Sequence, residues 1–204
     1  MNNKELLKDF IINIPKHCVL HLVIIRRKKE NPDITGQRSI IKDYYISNYD
    51  YLESIWEEVV TISELFNARV YLNINPKPYN SIYINLLNIC SSALSYNQYR
   101  NVNTIISSSV DSATSEDNYF IVDVDSKSED FINYIKDKIN LCRGNKTRII
   151  KEVPTINGVH LICNKFDIKM YHRLIDEDFS DNWKGMQIPL VLKNSNTLLY
   201  YKEL

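Results

Sequence analysis

Residues 119–125 read Tyr119-Phe120-Ile121-Val122-Asp123-Val124-Asp125. The run is apolar, β-branched and aromatic, which predicts a strand. Side chains alternate across a strand, so Phe120, Val122 and Val124 turn toward a core. Asp123 and Asp125 then share the opposite face, about 6.6 Å apart along the chain. Two carboxylates at that spacing can bracket one or two hard divalent cations, Mg²⁺ or Mn²⁺. On its own, such a pair is more often a strand running out into solvent with both carboxylates solvated.

Outward from this strand the chain alternates helix and strand. Ser128 predicts a helix cap, with Phe131, Ile135 and Ile139 on one face of the helix and Gly144 as its stop. Strands are expected over Thr147–Val153 and Val159–Cys163, around a turn at 154–158, and a helix over Asp167–Ile175. Short strands at Gln187–Leu192 and Thr197–Tyr201, around a turn at 194–196, close the chain. Before the aspartates, the sequence predicts a helix over Asn3–Ile12, strands over Cys18–Lys28 and Ser39–Ser47, and a helix capped by Asp50. Arg69–Asn75 is a further strand, with Arg69, Tyr71, Asn73 and Asn75 on a polar face. Two helices are expected within Tyr79–Ser108. The fold class is α+β, with a mixed or antiparallel sheet and flanking helices. No Pro-, Gly- or Ser-rich linker divides the 204 residues, so one domain is expected, with an N-terminal lobe over 1–115 and a second over 116–204.

Composition narrows the function. Lys plus Arg and Asp plus Glu both number 25, so net charge lends no support to nucleic-acid binding, and any basic surface is local. The four glycines, Gly36, Gly144, Gly158 and Gly185, assemble neither GxGxxG nor a P-loop. Phosphate handling would fall to metals and side chains. The four cysteines form no CxxC pair and read as reduced core residues. The N-terminus is polar, and the longest apolar stretch, Val19–Ile25, suits a buried strand rather than a membrane span. A cytoplasmic protein without membrane association is expected, in the host cytoplasm if phage-encoded. Heavy use of Asn, Ile, Lys and Tyr suggests an AT-rich genome such as a phage's.

A second motif follows the aspartates. Pro154-Thr155-Ile156-Asn157-Gly158-Val159-His160 is a turn feeding a strand. Alone, His160 reads most simply as a satisfied core histidine. The order of the two motifs, an hhhDhD strand, a helix, then Thr-x-x-Gly-x-His opening a strand, resembles the archaeo-eukaryotic primase (primase-polymerase) superfamily, as a small phage-like member. The resemblance covers about 119–201 with motifs. It implies an RRM-like catalytic core, with Asp123 and Asp125 as metal ligands and His160 on the incoming nucleotide's phosphates. It implies Mg²⁺ or Mn²⁺, nucleoside triphosphates, a single-stranded DNA template and a helicase or replisome partner. The family's third acidic residue has no clear place here. Val191 stands near where it belongs, and Asp176, Asp178, Asp181 and Glu203 are alternatives.

Further candidates come from charge and position. Asn157, Lys165 and Arg69 are expected at the nucleotide, and Arg26, Arg27, Lys28 and Lys193 at template phosphates. The resulting expectation is metal-dependent primer synthesis in DNA replication. Its alternatives are a catalytically degenerate primase-fold protein that binds nucleic acid or a replisome partner, and another phosphotransfer enzyme such as a nuclease. DxD also occurs in glycosyltransferases and in haloacid-dehalogenase-like phosphatases; Lys127 stands where the phosphatase pattern has Thr or Val. His17, Cys18 and His21, or Cys142, His160 and Cys163, are minor metal-site candidates. Asn145-Lys-Thr147 is a glycosylation sequon, discounted for want of a secretory signal.

Overall fold

The computed structural model describes residues 1–99, 101–115, 119–142, 149–177, 179, 183, 185–192 and 196–202. The chain forms two compact units: Asn2–Asp117 with Leu199–Leu204, and Asn118–Leu198 with Met1. The sequence assigned the whole C-terminus to the second lobe. Instead the last residues return to the first unit: Asn3 N–H donates to the Leu199 carbonyl at 2.8 Å, and Asn2 bridges Tyr200.

In the first unit the organising element is β1 (Cys18–Arg27). Its run Cys18–Ile25 is buried throughout, as expected for a central strand covered on both faces. It pairs antiparallel with β2 (Arg38–Ile46), β3 (Arg69–Asn73) and the two-residue β4 (Lys77–Pro78). The sheet order is β2-β1-β3-β9, where β9 is Asn196–Tyr200, of which Leu199 and Tyr200 belong to this unit. Helices α1 (Lys8–Ile12), α2 (Tyr49–Leu65), α3 (Tyr79–Ser95) and α4 (Val102–Asp111) complete it. The expected first helix starts five residues later than the sequence suggests, after a run of turns. The cap of α2 is Asn48, whose side chain accepts from Tyr51 N–H at 2.8 Å, and not Asp50. Asp50 sits in the first turn, where its charge suits the helix dipole.

The polar face of β3 is also not what alternation alone implies. Arg69, Asn73 and Asn75 are buried along with Val70, Leu72 and Ile74. Arg69 pairs with Glu30 and lies over the Tyr201 ring, 5.3 Å from its centroid. Alternation tells which residues share a face; it does not tell whether that face is covered.

The second unit runs β5 (Phe120–Val124), α5 (Glu129–Leu141), β6 (Ile149–Pro154), β7 (Val159–Cys163), α6 (Ile168–Asp176) and β8 (Leu190–Leu192). Its four strands are ordered β6-β7-β5-β8, and every pairing is antiparallel. Ser128 caps α5 by accepting from Phe131 N–H, and Asp167 caps α6 by accepting from the N–H groups of Lys169 and Met170. The first of these caps is where the sequence expected it. Val122, Val124, Leu161 and Cys163 form one face of the sheet and pack on Phe131, Ile135 and Ile139 of α5 and on Tyr171 and Ile175 of α6. Burying each such side chain contributes about 1.5–3 kcal/mol, so this layer fixes the sheet under the aspartates. The face away from the helices holds Ile121, Asp123, His160 and Ile162. Gly144, Asn145 and Thr147 lie outside the described residues.

Candidate functional site

Asp123 is the fourth residue of β5, and the antiparallel register places it between His160 on β7 and Leu190 on β8. Directly opposed residues of antiparallel strands project to the same face. The register thus makes neighbours of the two residues singled out by the DxD and Gly-x-His motifs. His160 Nε2 stands 3.3 Å from Asp123 Oδ1.

The turn before His160 explains the motif's other letters. Thr155 N–H donates to the Gly158 carbonyl at 2.9 Å, and Gly158 N–H donates back to Thr155 Oγ1 at 3.1 Å. The threonine thus closes the turn from both its backbone and its side chain. Gly158 lies against the end of β5. A Cβ there would collide with the Val124 carbonyl and come within 2.6 Å of Ser126 N and 2.8 Å of Ser126 O. Glycine is needed because the backbones pass so closely. Val124 and Ser126 flank Asp125, so the turn and the second aspartate meet at one end of the sheet.

His160 is buried, and its Nδ1 lies 3.1 Å from Thr197 Oγ1. Nε2 is the ring nitrogen that faces the Asp123 carboxylate, and Nδ1 faces the Thr197 hydroxyl. Thr197 is wholly buried, so it orients the ring and is no nucleophile. The sequence did not single it out. Asp123 is half-buried, and Asp125, one residue past the strand, is exposed. Asn157 is exposed in the turn, at the same end as Asp125.

Among the described residues, no group of three or more His, Cys, Asp or Glu side chains is arranged to hold a metal ion. Leu190 occupies the third position across from Asp123, with Val191 opposite Val122. Asp176 ends α6, whose Tyr171 and Ile175 pack on the sheet's other face. Asp178, Asp181 and Glu203 lie outside the described residues. The donor set of Asp123 and Asp125 is two hard oxygen ligands. It fits Mg²⁺ or Mn²⁺ arriving with phosphates, since Mg²⁺ is commonly held by one or two carboxylates plus water and substrate oxygens. A fully protein-ligated resident ion does not fit it.

The remaining candidates are dispersed. Lys165 follows Cys163, which pairs with Phe120 at the start of β5. It lies two residues past the end of β7, at the end of the strand away from Asp125. In the first unit, Arg26 donates to Asn31 at 3.0 Å and pairs with Asp33 at 3.0 Å, so the following loop occupies it. Arg27 is half-buried and Lys28 exposed. Arg69 is committed to Glu30, and Lys193 lies outside the described residues. The cysteines are free thiols; burial pushes Cys163 up to about 12 and Cys142 up to about 11, which leaves both inert at neutral pH. His160 and Cys163 sit on opposite faces of β7, so they make no zinc trio with Cys142.

The first unit holds a polar cluster that the sequence reading missed. Buried His21 meets Asp111 through Nδ1 and Asp43 through Nε2, both at 3.0 Å, and stacks on Tyr45. Ser107 hydroxyl donates to the other Asp43 oxygen. Burial alone lowers the imidazole's pKa, but the hydrogen bonds to Asp111 and Asp43 and their charges outweigh it and raise the value to about 9. The imidazolium ties α4 to β1 and β2, and neither ring nitrogen is left for a metal. The signal was a histidine inside an otherwise apolar strand, which demands buried partners.

No family model, curated protein or solved structure matches the chain.

Proposed function

We propose that the chain is a primase-polymerase-like nucleotidyltransferase whose second unit is an RRM-like catalytic core. The observation that carries this reading is the cross-strand pair of Asp123 and His160, built by a Thr-x-x-Gly-x-His turn that Gly158 lets approach β5. The β-α-β-β-α-β order with strands β6-β7-β5-β8 supports it, since both helices pack on the sheet face opposite Asp123 and His160.

In this reading Asp123 and Asp125 hold the cation that accompanies the triphosphate. That cation would neutralise phosphate charge and make the attacking hydroxyl more acidic. His160 keeps Asp123 in place before the nucleotide enters, and its Nε2–H is the donor that a phosphate oxygen can take over. Thr197 holds the ring in the required orientation from behind. Asn157 stands at the same end, where its amide can reach the nucleotide.

The test uses purified protein, single-stranded DNA, NTPs or dNTPs, and Mg²⁺ or Mn²⁺. Metal-dependent products that disappear in Asp123→Asn plus Asp125→Asn support the assignment. Products that persist in the double variant refute it.

A second reading is favoured by Leu190, an apolar residue where a third carboxylate would complete the metal site. Here the protein binds nucleotide or nucleic acid at the same face without turnover. Nucleotide binding that depends on His160, with neither primer synthesis nor DNA degradation, selects it.

A further inference from the structure

The helical hairpin of α3 and α4 stands apart from the rest of the chain in its chemistry. From Tyr79 to Val110 a single charged residue occurs, Arg100, although a quarter of the whole chain is charged. Helices exposed to water normally carry charge on the outer face. Here α3 buries only Ile82 fully. Its outer face carries Tyr83, Leu87 and Leu94, which are 60%, 69% and 67% exposed. At the helical angle of 100° per residue these three fall within about 40° of arc, so they form one stripe about 16 Å long. Tyr96, Tyr99 and Val102, all more than two-thirds exposed, extend the apolar surface around the hairpin's tip.

We infer that this hairpin is a homodimer interface, with α3 of one copy packed against α3 of a second. Three observations select that occupant. The described residues of this surface include no cation for a phosphate backbone or an anionic membrane surface, Arg100 at the tip being the one charge in the segment. The α3 stripe, which carries no charge, meets its own copy across a two-fold axis without like-charge repulsion. The six side chains together expose on the order of 900 Å², against about 800 Å² per partner in a stable interface of standard size. Asn88, Ser91 and Ser95 are exposed beside the stripe. They supply a polar rim without charge, and the serines are small enough to let two helices approach closely.

Sedimentation equilibrium on the full chain tests this at concentrations up to about 100 µM. The expected result is a mass twice the 24.0 kDa of one chain. Leu87→Glu with Leu94→Glu should raise the dissociation constant at least tenfold while leaving the circular dichroism spectrum unchanged. Should that pair disturb folding, Tyr99→Glu, outside either helix, gives the same readout. A monomeric wild type overturns the inference, and so does a dimer that survives the folded variants. A monomer that binds neutral phosphatidylcholine vesicles also overturns it, and assigns the surface to lipid instead.

Discussion

Gly158 and Val124 lie so close that no side chain fits between the turn and the end of β5. The contact couples the two motifs physically: any side chain at position 158 must displace the turn or the end of β5. Gly158→Ala should force the β5 end or the turn to move, at about 1–3 kcal/mol, the usual cost of overpacking a tight site. For a chain of this size that is a melting-point drop of about 2–4 °C per kcal/mol. Gly36→Ala is the control, because its Cβ would meet only Arg38 O at an ordinary 3.6 Å. Equal melting points for the two variants would show that the close approach is not constraining.

Thr197 and His160 form the second pair to test. Thr197→Val removes the hydroxyl and keeps the volume, leaving buried Nδ1 without its partner. The expected cost is about 1–3 kcal/mol. Combined with His160→Ala in a double-mutant cycle, the two changes should be non-additive by more than about 0.5 kcal/mol. Strict additivity in urea melts would mean the hydroxyl does not hold the ring.

How far the sequence reached depends on how local each feature is. The strand Phe120–Val124, the cap at Ser128 and the Phe131–Ile135–Ile139 stripe all rest on neighbours within a few residues, where side-chain period and capping chemistry speak directly. The opposition of Asp123 and His160 was legible only as two motifs in order; the register that joins them is a property of the pairing. Thr197 was invisible because it arrives from 37 residues further along the chain. Asp111 reaches His21 across 90 residues. Arg69 misled because alternation assigned it a polar face while Glu30, from a loop, covers it. Asp50 misled because Asn48, two residues earlier, was the better-placed acceptor.

His21 makes stability depend on pH in a defined direction. Its folded value of about 9 lies above the ordinary 6.5, so folding is favoured by the imidazolium. That contribution is complete below about pH 6.5 and disappears as pH rises through about 9. It amounts to at most about 3 kcal/mol, reduced because Asp111 is well exposed and screened. The groups around the ring are Asp43 on β2, Asp111 and Ser107 on α4, and Tyr45. Denaturant melts from pH 6 to 9.5 should show falling stability, and His21→Gln should flatten that fall. An unchanged slope in the variant would assign the pH dependence to other groups.

Leu190 offers a gain-of-function test of the proposed metal site. It faces Asp123 across the β5–β8 pairing, and it is 66% exposed, so a polar side chain is tolerated there. Leu190→Glu would place a third carboxylate beside Asp123 on the same face. A third hard oxygen ligand should tighten Mn²⁺ binding at least tenfold by calorimetry, about 1.4 kcal/mol. The gain should vanish when Asp123→Asn is added, because the new carboxylate then lacks its partner. If Leu190→Glu binds Mn²⁺ no better than the parent, the face between β7 and β8 is not where a cation sits. The DxD pair would then be two solvated carboxylates at a strand end. If binding tightens and synthesis on a DNA template appears only in the variant, the natural protein is the non-catalytic binder, and position 190 is the residue that makes it so.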